Sequence, residues 1–284
     1  MAAIAILSHA LDRILWPRQD GNGYNCPYLI GRMAMELTHR GHQVEIVHGL
    51  EAKNPGADLA ILHVDLTCVP AVYLDFAGSF RRCLNARVAD IRKTTVSMAQ
   101  LSLHPEWDGP VIVKSNLNCN GSPEVLKNAC LAKAGEAPVH PGAREFTDYR
   151  IYESMGAIPD SLRQLPDIAI DAFMPEREDG LYAIRHWVFC GDKGYCSKYT
   201  GSEPIIKASS VIKREPVNIP NELLKIRAEL GFDFGKFDFV VHGEKAFLLD
   251  ANKTPGSPPA IALADSTYIA SMCDGFLSFI EHSK

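Results

Sequence analysis

The chain has 284 residues, enough for two or three compact units with substantial cores. Hydrophobic residues make up 46% and charged residues 22%, the balance of an ordinary soluble enzyme, and a net charge of −5 argues against a dedicated nucleic-acid binder. No stretch reaches the apolar length of a membrane span, so no membrane partner is expected.

Met1 to Leu7 is apolar but short and has no basic leader, so Ala2 to Ser8 reads as a first strand rather than a signal peptide. Cys26 to Arg40 has helical spacing, with Leu29, Ile30, Met33 and Leu37 on one side and Gly41 as its stop. Gln43 to His48 and Asp58 to Val64 read as the next two strands. This rhythm implies a parallel α/β domain, placed at residues 1–88. The loop over residues 9–25 falls at the carboxyl edge of that sheet, where ligands tend to bind. It lacks the G-x-G-x-x-G spacing of a dinucleotide site.

A helix is predicted within residues 85–101, begun near Asp90. Asp108-Gly109-Pro110 then turns the chain into the β-branched strand Val111 to Lys114. A polar loop, Ser115 to Ser122, follows, then a helix over 123–133 and a Gly-, Pro- and charge-rich surface loop over 134–148. Asp167 to Met174 is a strand, Glu176 to Gly180 a turn, and Leu181 to Cys190 and Tyr195 to Thr200 a strand pair around Gly191-Asp192-Lys193-Gly194. Residues 202–218 read as irregular and Glu222 to Leu230 as a helix. Two further strands flank His242-Gly243-Glu244, and residues 260–282 are largely helical. The eight cysteines form no C-x-x-C pair and no zinc spacing, and read as small buried hydrophobes in a reducing cytoplasm. Cys119 is the exception, since it lies in the polar loop, but no base stands near it in sequence.

The chemistry concentrates in the last hairpin. Asp238 sits on its first strand, and Asp250 and Asn252 sit two apart at the end of the second, hence on one face. Two carboxylates and an amide oxygen that converge suit a hard cation such as Mg²⁺, which commonly bridges to phosphates. The plainer alternative is a hairpin with solvated acids at its ends. Lys114 closes a buried-looking strand and leads into a loop whose backbone N–H groups could wrap phosphate, the alternative being a snorkelling surface lysine. Arg185 lies inside an apolar strand and needs a partner or a ligand. Lys198, on the neighbouring strand, faces the same way if the two pair in register. Lys93, Lys114, Arg185 and Lys198 thus complement phosphate, as Asp238, Asp250 and Asn252 complement Mg²⁺.

In this order the pieces resemble the ATP-grasp superfamily, specifically the carboxylate–amine ligases of the peptide-ligase and glutathione-synthetase type. The match runs from about Asn85 to Gly256 through five motifs: Asp90 to Lys93, Gly109 to Lys114, Ile170 to Glu176, Tyr182 to Arg185, and Phe237-Asp238 through Asp250-Ala251-Asn252. The resemblance implies an α/β (α+β grasp) fold. The N-terminal parallel α/β domain would be followed, over 89–284, by an ATP-grasp domain of two α+β subdomains sandwiching ATP, with about 108–174 as the lid-like part. It implies that Lys93 and Lys114 contact the ATP phosphates. Asp171, Ala172 and Phe173 would form the adenine hinge, and Glu176 or Glu178 would reach the ribose. Asn120 and Gly121 would lie in a loop that closes over the phosphates. Arg185, with Lys198, would stabilise the transferred phosphoryl group, and Asp238, Asp250 and Asn252 would hold Mg²⁺ or Mn²⁺. Three departures stand out: Asp250 replaces the usual glutamate, Asp171 replaces the commoner hinge glutamate, and the acid usually near the strand arginine is replaced by Tyr182 or Ala183.

The implied reaction activates a carboxylate as an acyl phosphate and joins it to an amine, with small-molecule, amino-acid or peptide substrates. Arg13, Arg18 and Tyr24 are candidates to hold a substrate carboxylate, and Lys253 and Ser257 could touch substrate. Two alternatives stand beside the ligase: a kinase of the same architecture, and a non-catalytic nucleotide sensor or peptide-binding accessory protein. Superfamily members are often dimers or tetramers, so a homodimer is compatible, although no interface is legible in the sequence.

Overall fold

Three sheets organise the computed structural model, which describes residues 1–12, 28–50, 55–256 and 266–281. The first is parallel, in the order β2-β1-β3-β4, and comprises β1 (Ala3–Ser8), β2 (Gln43–His48), β3 (Leu59–Leu62) and β4 (Cys83–Leu84). β1 and β3 are near-continuous apolar runs because helices or loops cover both faces of a parallel sheet. Helix α1 (Leu29–His39) buries Leu29, Ile30, Met33, Ala34 and Leu37 against one face. Helix α2 (Ala71–Gly78) contributes Tyr73 and Ala77 to the core on the other. Cys26, with which the sequence reading begins α1, lies outside the described residues.

The helix expected within 85–101 is a single turn, α3 (Lys93–Val96). The preceding backbone is instead tied across to the N-terminal unit: Ile91 N–H donates to Thr67 O and Val69 N–H to Ala89 O. Val88, Ile91 and Val96 are buried, so an extended crossing chain mimics a helical apolar pattern. β5 (Val111–Ser115), helix α4 (Ser122–Ala134), β6 (Arg150–Tyr152), the short α5 (Asp160–Arg163) and β7 (Ile168–Ala172) follow, the strands forming an antiparallel sheet in the order β6-β5-β7.

The third sheet contains β8 (Glu176–Glu178), β9 (Leu181–Cys190), β10 (Lys193–Gly201), β11 (Val211–Pro216), β12 (Phe234–His242) and β13 (Lys245–Asn252), with helix α6 (Asn221–Leu230) before β12. Its order is β11-β10-β9-β12-β13, and β8 also pairs with β9. Two expectations are corrected here. Glu176 to Glu178 is strand rather than turn, and the irregular stretch 202–218 contains β11. The latter is an edge strand carrying Lys213, Arg214, Glu215 and Pro216, residues that guard edges and hide the apolar alternation. The closing helix α7 (Ser266–Glu281) packs Met272, Cys273 and Phe276 into the core it shares with α1. No helix among the described residues is long and apolar enough to cross a membrane.

The third sheet has two unlike faces. Trp187, Phe189, Phe237 and Phe239 point into an aromatic core, with Phe189 and Phe237 edge-to-face at 5.0 Å, while Tyr182, Ile184, His186 and Asp238 line a cavity on the opposite side.

Asn85 fastens the first sheet to the third. It is fully buried at φ 58°, its side-chain oxygen accepts from the N–H groups of Asp233 and Phe234, and its amide donates to Phe234 O at 2.8 Å. Asn85→Ala is expected to cost about 2–4 kcal/mol, by unpairing three buried backbone groups and straining a left-handed residue. A urea titration checks this through a lowered midpoint at unchanged slope.

Candidate active site

A cavity of about 350 Å³ lies between the β5–β7 sheet and the polar face of β9, β12 and β13. Ile112, Lys114 and Asp171 to Pro175 form one wall, and Tyr182, Ile184, His186, Asp238, Val240, Leu249 and Asp250 the other. Lys93, Tyr149 and Pro204 to Ile206 complete it.

The carboxylate pair at its end follows from strand register. Asp238 pairs directly with Asp250, and Lys236 with Asn252. The register shifts between Asp238 and Phe239, where Leu249 is the extra residue of a bulge, so that consecutive Leu249 and Asp250 both line the cavity. Asp238 Oδ1 and Asp250 Oδ1 are buried without a formed hydrogen bond. Their cationic neighbours are Lys236 Nζ, 3.0 Å from Asp238 Oδ1, and Lys93 Nζ, 3.4 Å from Asp250 Oδ1. Burial alone would raise the Asp238 pKa, but His186 and Lys236 outweigh it and hold the group below the usual carboxylate value. Two buried carboxylate oxygens without a formed hydrogen bond, beside the Asn252 amide, fit a hard cation.

The two lysines on the other side are buried and fixed. Lys114 is 6% exposed, so it does not snorkel; its Nζ lies 2.6 Å from Asp171 Oδ2 and donates to Leu249 O at 3.0 Å. Ser97 Oγ donates to the same Asp171 oxygen at 2.6 Å, while Asp171 Oδ1 is buried without a partner. Lys93 Nζ donates to Leu117 O at 3.1 Å. Burial would lower the Lys93 pKa, but Asp250 and the neighbouring groups raise it overall, so the ammonium persists. Ala172 and Phe173 line the cavity, although their N–H groups are used inside the protein, donating to Ala99 O and Pro110 O.

The 115–122 loop turns sharply through three left-handed residues, Cys119 (φ 45°), Asn120 (φ 60°) and Gly121 (φ 88°). A Cβ on Gly121 would meet Arg144 O at 2.6 Å, which demands glycine. The loop residue that reaches the expected metal ligand Asn252 is Asn118, whose amide donates to Asn252 Oδ1 at 3.4 Å. Asn120 instead lines a second, polar cavity of about 590 Å³ with Thr147, Tyr149 and Lys207.

No family model and no curated protein matches the sequence. Solved structures do. The chain is similar to an ATP-grasp ligase associated with RiPP from Chryseobacterium gregarium, solved with ADP and a leader and core peptide. That match has a TM-score of 0.52 at 12% identity and covers 98% of this chain and 97% of that one. Macrocyclase MdnC from Microcystis aeruginosa, bound with precursor peptide MdnA, matches at 0.50 and 10% identity, over 99% and 100% of the two chains. A RimK domain ATP-grasp protein from Sphaerobacter thermophilus matches at 0.50 and 16% identity, over 97% and 100%. The chain has the ATP-grasp fold.

Within this ATP-grasp fold, four residues expected at the site lie on the wrong face of the third sheet. Arg185 pairs with Lys198 in register, and both point away from the cavity. Arg185 makes a bidentate pair with Glu176, at 2.7 and 3.0 Å, and Glu176 also accepts from Val241 N–H at 2.8 Å. Lys198 is held by Glu178, and by Glu215 at 2.8 Å. Arg185, Lys198, Glu176 and Glu178 therefore form structural ion pairs, and neither glutamate lines the cavity. The reason is strand phase: alternation decides which residues share a face, but not which face meets the cavity. Lys236 and His186 were missed for the same reason. Lys236 precedes Asp238 by two positions, and His186 pairs directly with Asp238, so period two from the acid would have found the lysine. Arg13, Arg18, Tyr24 and Ser257 lie outside the described residues, and Lys253 is fully buried, donating to Leu66 O.

Lys114→Met should leave the buried Asp171 without its cation, and is expected to cost about 3–5 kcal/mol. Adding Asp171→Leu is expected to restore at least ~1 kcal/mol. Thermal and chemical unfolding of the single and double variants check both.

Proposed function

We propose that the protein is an ATP- and Mg²⁺-dependent carboxylate–amine ligase that works through an acyl phosphate, with an amino acid or peptide among its substrates. The observation that carries this reading is the facing of Asp238 and Asp250 at one end of a cavity that also holds Lys93 and Lys114. The fold shared with ligases that act on peptides supports it. The described cysteines are all free, in keeping with a reducing cytoplasm.

Each residue then has a role its surroundings can support. The apolar wall formed by Ile112, Phe173, Ile184 and Val240 takes the adenine ring, with Ala172 and Phe173 as the hinge. Lys93 and Lys114, held by Asp250, Asp171 and two carbonyls, meet the phosphates as fixed point charges. Asp238, Asp250 and Asn252 would hold Mg²⁺, which when bound would supply positive charge for phosphate oxygens. Lys236 takes the part first expected of Arg185, because its ammonium stands on the cavity face beside Asp238. A carboxylate oxygen of the substrate attacks the γ-phosphorus and ADP leaves. The amine nitrogen, in its neutral form, then attacks the acyl carbon; the amide forms and phosphate leaves, taking up the proton the nitrogen gives up. The protein's contribution is positioning and charge neutralisation.

Incubation with MgATP, hydroxylamine and pooled amino acids and small carboxylates is expected to produce hydroxamate and phosphate, and neither with Asp250→Ala. Phosphorylated product without hydroxamate would point to a kinase. Lys236→Met is expected to lower kcat by roughly 10²–10³ with little change in the KM for ATP, as for loss of a group that stabilises only the transition state. Steady-state kinetics on the same reaction decides it.

A further inference from the structure

A separate cavity of about 310 Å³ lies between the N-terminal sheet and α4, and the reading above assigns it nothing. Its walls are mainly apolar, from Leu11, Pro123, Leu126 and Cys130. Its charged groups are Asp12, Asp65 and Lys127, all buried. Lys127 is already consumed: its ammonium binds Asp12 Oδ1 and donates to Asp65 O at 2.9 Å. Asp65 accepts hydrogen bonds from two hydroxyl groups, Tyr28 OH at Oδ2 and Thr254 Oγ1 at Oδ1 at 2.7 Å, and its charge also acts on the buried Lys253 ammonium, which lies outside the cavity lining. The described lining therefore carries one more negative charge than positive, and its lone cation is engaged.

Asp65 also connects to the chemistry. Thr254 Oγ1 lies 3.2 Å from Asn252 Oδ1, so a single hydroxyl separates Asp65 from a proposed metal ligand. Cys119 lines this cavity while its Sγ stands 4.0 Å from Asn252 Nδ2. The cavity thus abuts the place where an acyl phosphate would form.

We infer that this cavity binds the acceptor as a primary ammonium with a short apolar substituent and no carboxylate of its own. The ammonium would be recognised by Asp65, and the substituent would rest among Leu11, Pro123, Leu126 and Cys130. A buried carboxylate lacking a cation on the cavity side favours an ammonium, whereas an acceptor carboxylate would meet Asp12 and Asp65 with no free counter-charge among the described lining residues. The size stands at the small end of ligand cavities, which suits an amine of a few carbons rather than a peptide. The inference rests on the ligase reading for the word acceptor; the binding itself needs no turnover.

Ligand-observed NMR titration of the full chain with 3-methylbutylamine and, separately, leucine tests it, the two probes sharing a side chain and differing in the carboxylate. The amine is expected to bind at least tenfold more tightly than leucine, and Asp65→Asn to abolish the difference. Leu126 is 61% exposed, so Leu126→Lys will fold, and is expected to weaken amine binding about tenfold by placing a cation at the mouth. Equal binding of leucine, no binding of the amine, or indifference to Leu126→Lys would overturn the inference. Amine binding without any hydroxamate formation would fault the ligase reading alone, and hydroxamate formation without amine binding would fault only this cavity.

Discussion

Asp238 faces Asp250 directly across an antiparallel pair. Directly opposed side chains sit about 5 Å apart at Cβ, and like charges there are destabilising; at an effective dielectric of ~20 the repulsion is about 3 kcal/mol. The protein buries one oxygen of each group and meets the cost with cations on either side, Lys236 beside one and Lys93 beside the other. Much of the surrounding architecture serves that arrangement. The bulge at Leu249 aims Asp250, the N-terminal crossing chain delivers Lys93, and Lys114 ties β5 to the Leu249 carbonyl. On the proposed reading, a metal would join the two carboxylates while Lys93 and Lys236 turn their charge to the phosphates.

The third sheet separates chemistry from support. One face carries the acids, His186 and the wall of the cavity. The other carries Arg185 with Glu176, Lys198 with Glu178 and Glu215, and below them the aromatic core. The buried Arg185–Glu176 pair also anchors β12 through Val241 N–H, so it fixes the position of the strand that bears Asp238. Charge inside an apolar strand is thus explained by a partner on its own side, without a ligand.

Features set by local pattern were legible in the sequence. The alternation around Asp238, Asp250 and Asn252, the two-residue turn with Gly243 at φ 62°, and the strand–helix–strand rhythm of the N-terminus each depend on neighbours in the chain. Features set by distant neighbours were not. Which face of β9 meets the cavity depends on how the β5–β7 sheet docks, and Tyr182-Ala183-Ile184-Arg185-His186 is compatible with either choice. The path from Asn85 to Leu101 is decided by bonds to Thr67 and Leu248, which no helical period encodes. β11 hid because an edge strand carries charge where a central one carries valine. Asn118, rather than Asn120, reaches Asn252 because three left-handed residues in a row turn the loop away.

The measurement that tests the central claim most directly is water-proton relaxation with Mn²⁺ as the paramagnetic stand-in for Mg²⁺, with and without ATP. The account predicts strong enhancement when protein, Mn²⁺ and ATP are together, lost when Asp238→Asn and Asp250→Asn are combined while the chain stays folded. Undiminished enhancement in that double variant would show that the facing carboxylates do not hold the metal, and would contradict the account.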